Sequence, residues 1–340
     1  MTRRRLSQRQ IERIAQIQER RRERLACQVQ RIIEADADGR VEEGRVMARH
    51  GANLAVADAE GRLHHCLTRQ NIGHPVCGDR VVWQATGLGQ GVVTALLPRG
   101  STLSRPDYSG HDKPLAANIT RLVVVLAPQP EPTEYLVDQY LVAAEHIGVD
   151  ALIALNKMDL SQGAAERAFL GRFAPYARIG YPLISVSARH DQGLDPLREA
   201  LHDHVAILVG QSGVGKSSLI QALLPDLEIQ VGRLSEATGL GRHTTSATTW
   251  YRLPTGGGLI DSPGVRSFRL GRLGRAELER GFRDFRPYLE HCRFADCHHD
   301  QEPGCAIKEA VARGAIERAR LASFHHLAAQ SPHSYQEIRV

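Results

Sequence analysis

The sequence predicts a multidomain α/β architecture in three folded parts: a small N-terminal β-barrel, a central parallel-sheet α/β domain and a C-terminal helical domain organised by a metal. Three observations predict it. Residues 38–112 hold five short alternating segments separated by turn signals. From about residue 115 the pattern changes to buried apolar strands alternating with helical spacing. Three of the six cysteines then fall with a histidine inside residues 292–305. A length of 340 residues, at ~150 per domain, also asks for two or three folded units.

The chain before the barrel, residues 1–37, reads as a basic arm. Residues 1–25 carry nine arginines against three glutamates, while the whole chain is only +5, so the positive charge is concentrated there. Such an arm on a nearly neutral body suits phosphate binding. It lacks the apolar core of a secretory signal, and no apolar run reaches the ~18 residues that cross a bilayer. The cysteines are too few and too unevenly spread for a disulfide scaffold. The expectation is a cytoplasmic protein with no membrane association.

In the barrel, strands are expected at Gly44–His50, Asn53–Asp58, Arg62–Thr68, Asp79–Ala85 and Gly91–Leu97. Five strands in this space suggest an OB-fold, residues 38–112, of a kind that binds RNA. Only Trp83 and Tyr108 could stack on bases, so arginine and backbone shape would carry RNA contact. Residues 113–272 follow as the α/β domain. Its strands are Arg121–Ala127, Ala151–Leu155, Tyr181–Val186 and Val205–Val209, with Gly257–Ile260 leading into a turn. Helices are expected at Glu134–Ile147, Leu194–His202 and Lys216–Leu224. Residues 273–340 hold the Cys/His cluster and a helix-rich run from Ala306 to Ala329.

Between the strand Val205–Val209 and the next helix, Gly210, Gln211, Ser212, Gly213, Val214, Gly215, Lys216 and Ser217 read G-x-x-x-x-G-K-S, with Ser218 following. Glycines let backbone N–H groups turn inward around phosphates at a helix N-terminus. Lys216 would reach the β- and γ-phosphates, and the Ser217 hydroxyl would ligate Mg²⁺. The chain has only four lysines, at 113, 157, 216 and 308, which sharpens the match.

Asn156, Lys157 and Asp159 form N-K-x-D after the strand Ala151–Leu155. A carboxylate accepting from guanine N1–H and the 2-amino group would be left unpaired by adenine, so the motif selects GTP. Asn156 can read another edge of the base, and the Lys157 stem can pack on its face. Ser187 and Ala188, at another strand end, suit a second guanine loop. Asp261-Ser-Pro-Gly264 gives D-x-x-G, with Asp261 reaching Mg²⁺ through water and the Gly264 N–H meeting the γ-phosphate. The intervening Gly-rich loop offers Thr245, with Thr244 as the alternative, to close over Mg²⁺.

The base-reading motif precedes the phosphate loop, so this is a circularly permuted P-loop GTPase domain. Its D-x-x-G segment leads directly into the C-terminal domain. Val265 stands where Ras-like enzymes place a water-orienting glutamine, so unassisted hydrolysis should be slow. In the tail, Cys292, Cys297, His299 and Cys305 have the spacing of a closed, structural Cys₃His zinc site. His298 and His291 are alternative ligands. Cys27, Cys66 and Cys77 read as ordinary residues.

Together the basic arm, the barrel, the motif order and C-x4-C-x-H-x5-C resemble the ribosome small subunit-dependent GTPase A family over nearly the whole chain. The resemblance implies a late assembly factor of the bacterial small ribosomal subunit and its rRNA. Such a factor, as a monomer, checks the decoding region, is stimulated by the subunit and leaves on hydrolysis of GTP to GDP. It also implies that G-R-H-T-T is switch I and that His243 is its catalytic residue. Arg266 is the runner-up. Two other classes fit the motifs: a module that GTP merely rigidifies, and a permuted GTPase acting on another assembly.

Overall fold

The computed structural model describes residues 41–69, 72–106, 112–238, 248–262 and 273–330. The basic arm, Cys27 and Tyr108 lie outside them, as do the stretches holding Thr244, Thr245, His243, Gly264, Val265 and Arg266.

Strands β1 (Val41–His50), β2 (Asn53–Ala57), β3 (Leu63–Thr68), β4 (Arg80–Gly87) and β5 (Gln90–Leu96) form the barrel. The long β1 pairs with β2 through one part of its length and with β4 through another, while β3 and β5 run parallel. That closes the sheet as β1-β2-β3-β5-β4 and back to β1. Val46, Leu54, Val56, Cys66, Val81, Trp83 and Val93 fill its interior. Trp83 is therefore core, with His64 against its ring at 4.3 Å, and is not available to stack on bases. Cys66 is buried with it, which pushes its thiol up to about 12.

A hairpin of β6 (Thr102–Pro106) and β7 (Asp112–Ala117) leads into the second half. There β8 (Arg121–Leu126), β9 (Asp150–Leu155), β10 (Leu183–Ser185), β11 (Val205–Val209) and β13 (Gly258–Asp261) are parallel, and β12 (Thr249–Arg252) is antiparallel. The order is β10-β9-β8-β11-β13-β12. Strands β8 and β11 are central and covered on both faces, which is why both read as unbroken apolar runs. Leu122, Val124, Ile207 and Val209 enter one core with helices α1 (Glu134–Ile147) and α2 (Ala164–Arg178). Val123, Val125, Ala206 and Leu208 enter the other, beneath α3 (Leu194–Ala200), α4 (Lys216–Leu223) and α5 (Leu227–Thr238).

One contact joins the two halves into a single eleven-stranded sheet: β1 pairs with β12 at Ala48↔Thr249. The core on the α5 side is shared as well, since Ala48 and Ala55 of the barrel pack in the same cluster as Leu234 of α5.

The C-terminal part holds α6 (Arg275–Gly281), a 3₁₀ turn at Arg283–Tyr288, α7 (Ala306–Ala312) and α8 (Arg318–Gln330). Gly314, at φ +73°, splits the helical run into α7 and α8. Phe282, Phe285 and Phe324 centre this core, and Val142 of α1 inserts into it.

Candidate nucleotide site and metal centre

The order in which strands are added reverses between the parallel neighbours β8 and β11, the place where open α/β sheets leave a crevice beyond their strand ends. The G-x-x-x-x-G-K-S loop occupies it. Gly210 has φ +143°, and a Cβ there would sit 2.3 Å from the Val125 carbonyl oxygen. Gly215 has φ +92°, and its Cβ would meet Asn156 Nδ2 at 2.4 Å. No side chain fits either position. Lys216, the first residue of α4, donates from Nζ to the Gly210 and Gln211 carbonyls at 2.7 and 2.6 Å. Ser217 and Ser218 are exposed at the same helix start.

Asn156 is 1 % exposed. Its Nδ2 donates to the Val214 carbonyl at 2.9 Å, and its Oδ1 accepts from the Ala188 N–H at 3.2 Å. The side chain thus ties three loops together. Lys157 takes a left-handed conformation and donates from Nζ to the Gln129 carbonyl at 3.2 Å. Asp159 Oδ1 accepts from the Ser187 hydroxyl at 2.6 Å, and this bond leads in holding its carboxyl below the usual range. His190 Nε2 lies 3.6 Å from Asp159 Oδ2.

Around these groups is a cavity of about 630 Å³. Asn156, Lys157, Asp159, Ala188, Gly215 and Ser218 line it, joined by Leu160, Arg189, Gln221 and Ala222. Its volume is in the range of small-molecule sites, and a lining that combines the Asp159 carboxylate with the helix-start residues Gly215 and Ser218 suits a purine nucleotide. Asp261 ends β13, with Ser262 Oγ 2.9 Å from Thr248 Oγ1 beside it. Gly264, His243 and Thr245 fall outside the described residues. Sequence reasoning missed Tyr140, whose hydroxyl on α1 accepts from the Gly210 backbone and is pushed up by burial to about 12. No local sequence pattern pointed to it.

The second site is the Cys/His cluster. The ligand atoms of Cys292, Cys297, His299 and Cys305 lie within 4.8 Å of one another. His299 Nδ1 faces Cys292 Sγ at 3.6 Å and Cys305 Sγ at 3.4 Å, whereas Nε2 faces Glu279 Oε1 at 3.4 Å. Glu279 thus stands behind the far nitrogen, on the side away from the sulfurs. Glu279, 2 % exposed on α6, carried no sequence signal for this position. Burial pushes the Cys297 thiol up to about 12, and the neighbouring Cys292 and Cys305 sulfurs push the same way. Among the described residues the cluster holds three soft donors and one imidazole, which fits a closed structural metal site.

Residues 96–271 match the family model described as RsgA GTPase. The chain is 48% identical to the small ribosomal subunit biogenesis GTPase RsgA of Azotobacter vinelandii, over 98% of this chain and 99% of that one. Against the Pseudomonas aeruginosa protein of the same name the identity is 47%, again over 98% and 99%. Among solved structures, YjeQ from Thermotoga maritima superposes with a TM-score of 0.71 at 29% identity, covering 85% of this chain and 98% of that one. YloQ, described as a circularly permuted GTPase, gives 0.68 at 26% identity, covering 87% and 98%.

Proposed function

The chain belongs to the RsgA GTPase family, and from that premise we propose that it matures the small ribosomal subunit, hydrolysing GTP to GDP and phosphate when the subunit stimulates it. Hydrolysis then drives its release. The observation that carries this reading is the convergence of both guanine loops and the phosphate loop on one 630 Å³ cavity. Asp159, oriented by Ser187, accepts from the guanine N1–H and 2-amino groups. Lys157 packs along the base, while Asn156 holds the loops in register. Backbone N–H groups from Gly210 to Ser218 and the Lys216 ammonium hold the phosphates.

Ser217, Thr245 and Asp261 would hold Mg²⁺, which neutralises charge on the β- and γ-phosphates when bound. Gly264 meets the γ-phosphate through its N–H. His243 orients or deprotonates the attacking water in place of the glutamine that Val265 replaces. The Cys292, Cys297, His299 and Cys305 metal is zinc, because three thiolates with one imidazole select it in a closed tetrahedral site. The nine arginines of residues 1–25 and the OB-fold barrel supply affinity for rRNA.

The test is GTP turnover against purified small and large ribosomal subunits. Stimulation by the small subunit alone is expected, and His243→Ala should keep GTP affinity, lose most stimulated turnover and stay longer on the subunit. Equal stimulation by both subunits would remove the small subunit from this reading. Intact stimulated turnover in His243→Ala would instead remove the histidine and direct attention to Arg266.

A further inference from the structure

The Mg²⁺ side of the nucleotide site and the barrel are joined through one short strand. On β12, Thr249 pairs with Asp261 of β13 on one side and with Ala48 of β1 on the other. The three residues form a single row across the sheet, so the barrel meets the domain at the level of the carboxylate expected to serve Mg²⁺. Beside Thr249, Trp250 lies under the Arg45 guanidinium of β1, 5.2 Å from the ring centre.

Beyond Ala48↔Thr249 the β1 ladder stops, and a side chain takes over its work. Gln230, on α5, accepts at Oε1 from the Arg252 N–H at 2.9 Å and donates from Nε2 to the Arg252 carbonyl at 3.0 Å. Its amide thus bonds both backbone groups of one β12 residue, as a neighbouring strand would. Asp226 Oδ1 accepts from the same Nε2 at 2.9 Å, which fixes the amide's orientation. Helix α5 in turn packs on the barrel, with Leu234 in one cluster with Ala48 and Ala55, and with Leu227, Val231, Met47 and Leu63 packed against it.

We propose that Gln230 is a positioning residue that fastens β12 to the barrel-bound helix α5, so that nucleotide at Asp261 and RNA on the barrel are energetically coupled through β12. The inference rests on the functional reading above, in which Asp261 serves Mg²⁺ and the barrel meets rRNA. Without the amide, β12 keeps one bridge to β1 and can shift against the barrel. Coupling of this kind is reciprocal: whatever GTP does to RNA affinity, RNA does to GTP affinity.

The variant is Gln230→Met, which keeps the side chain's length and removes all three hydrogen bonds. Two measurements on the full-length protein decide. The first is amide hydrogen exchange with Mg²⁺ and a non-hydrolysable GTP analogue against Mg²⁺ and GDP, without ribosomes. In wild type, exchange in residues 45–57 of β1 and β2 should differ between the nucleotides, and in Gln230→Met that difference should vanish while analogue affinity stays within about twofold. The second is the ratio of small-subunit affinities with the GTP analogue and with GDP, expected to shrink about fivefold or more towards unity in Gln230→Met, the lower end of typical couplings. Barrel exchange indifferent to nucleotide in wild type, or a nucleotide difference that survives in Gln230→Met, overturns the proposal. If small subunits fail to stimulate wild type, the ribosomal reading falls and the exchange comparison still decides the coupling.

Discussion

Asn156 and Asp159 sit three residues apart in one motif and do different work. Asn156 is committed to the Val214 carbonyl and the Ala188 N–H, so replacing it would loosen three loops at once. Asp159 accepts from one hydroxyl and lines the cavity, so its replacement tests base reading with less disturbance of the loops. Asp159→Asn reverses one hydrogen-bond polarity. GTP affinity should fall about 10²-fold or more, and xanthosine triphosphate should gain. Equilibrium titration with both nucleotides checks this, and unchanged GTP affinity would sink the assignment. At this scale the sequence was legible wherever chemistry forces a residue type, as in the glycines of the phosphate loop. It was silent on Tyr140 and Glu279, because a hydroxyl or carboxylate serving a distant loop leaves no local pattern.

Among the elements, the Cys/His cluster shows why some helices need outside support. Helix α7 spans only seven residues, too few to be stable alone, and Cys305 caps it by accepting from the Lys308 N–H at 3.5 Å. The same sulfur faces the metal position. Cys305→Ala should therefore remove about one equivalent of metal and unfold residues 275–330, while GTP binding at the phosphate loop survives. Elemental analysis with proteolysis reads both effects; wild type free of metal would refute the site. The barrel strands and β11 were readable because alternation or a continuous apolar run sets them apart. The hairpin β6–β7, the four-residue β12 and helices α2 and α5 were not. In α2 only Phe173 and Tyr176 are buried, so its apolar stripe is thin. Strand β12 owes its existence to partners on both sides more than to its own residues.

For the whole molecule, the decisive contact is Arg320 on α8. It is 2 % exposed, bonded to Asp138 of α1 and, at 2.6 Å, to Asp284 of the C-terminal part, and its guanidinium lies 4.5 Å from the Phe282 ring centre. Tyr176 of α2 donates to the same Asp138 at 2.8 Å. Burial pushes Asp138 up, and the two carboxylates keep the arginine charged. The C-terminal part is thus fastened to α1 and α2, which makes it a companion of the sheet although its chain enters from the D-x-x-G segment. Arg320→Met would leave two buried carboxylates without their cation, at a cost of about 3–5 kcal/mol. Thermal unfolding should drop accordingly, and an unchanged midpoint would show that the triad contributes nothing. The permuted order has a further consequence, in the order of synthesis. Strand β8 is complete at residue 126, yet the neighbour that covers its second edge, β11, begins at residue 205. At ~5–20 residues per second, the newborn half-sheet waits several seconds with an edge of unpaired backbone groups open on an apolar strand. During translation, that edge is where a chaperone would be expected to hold the chain, and where a stalled nascent chain would aggregate.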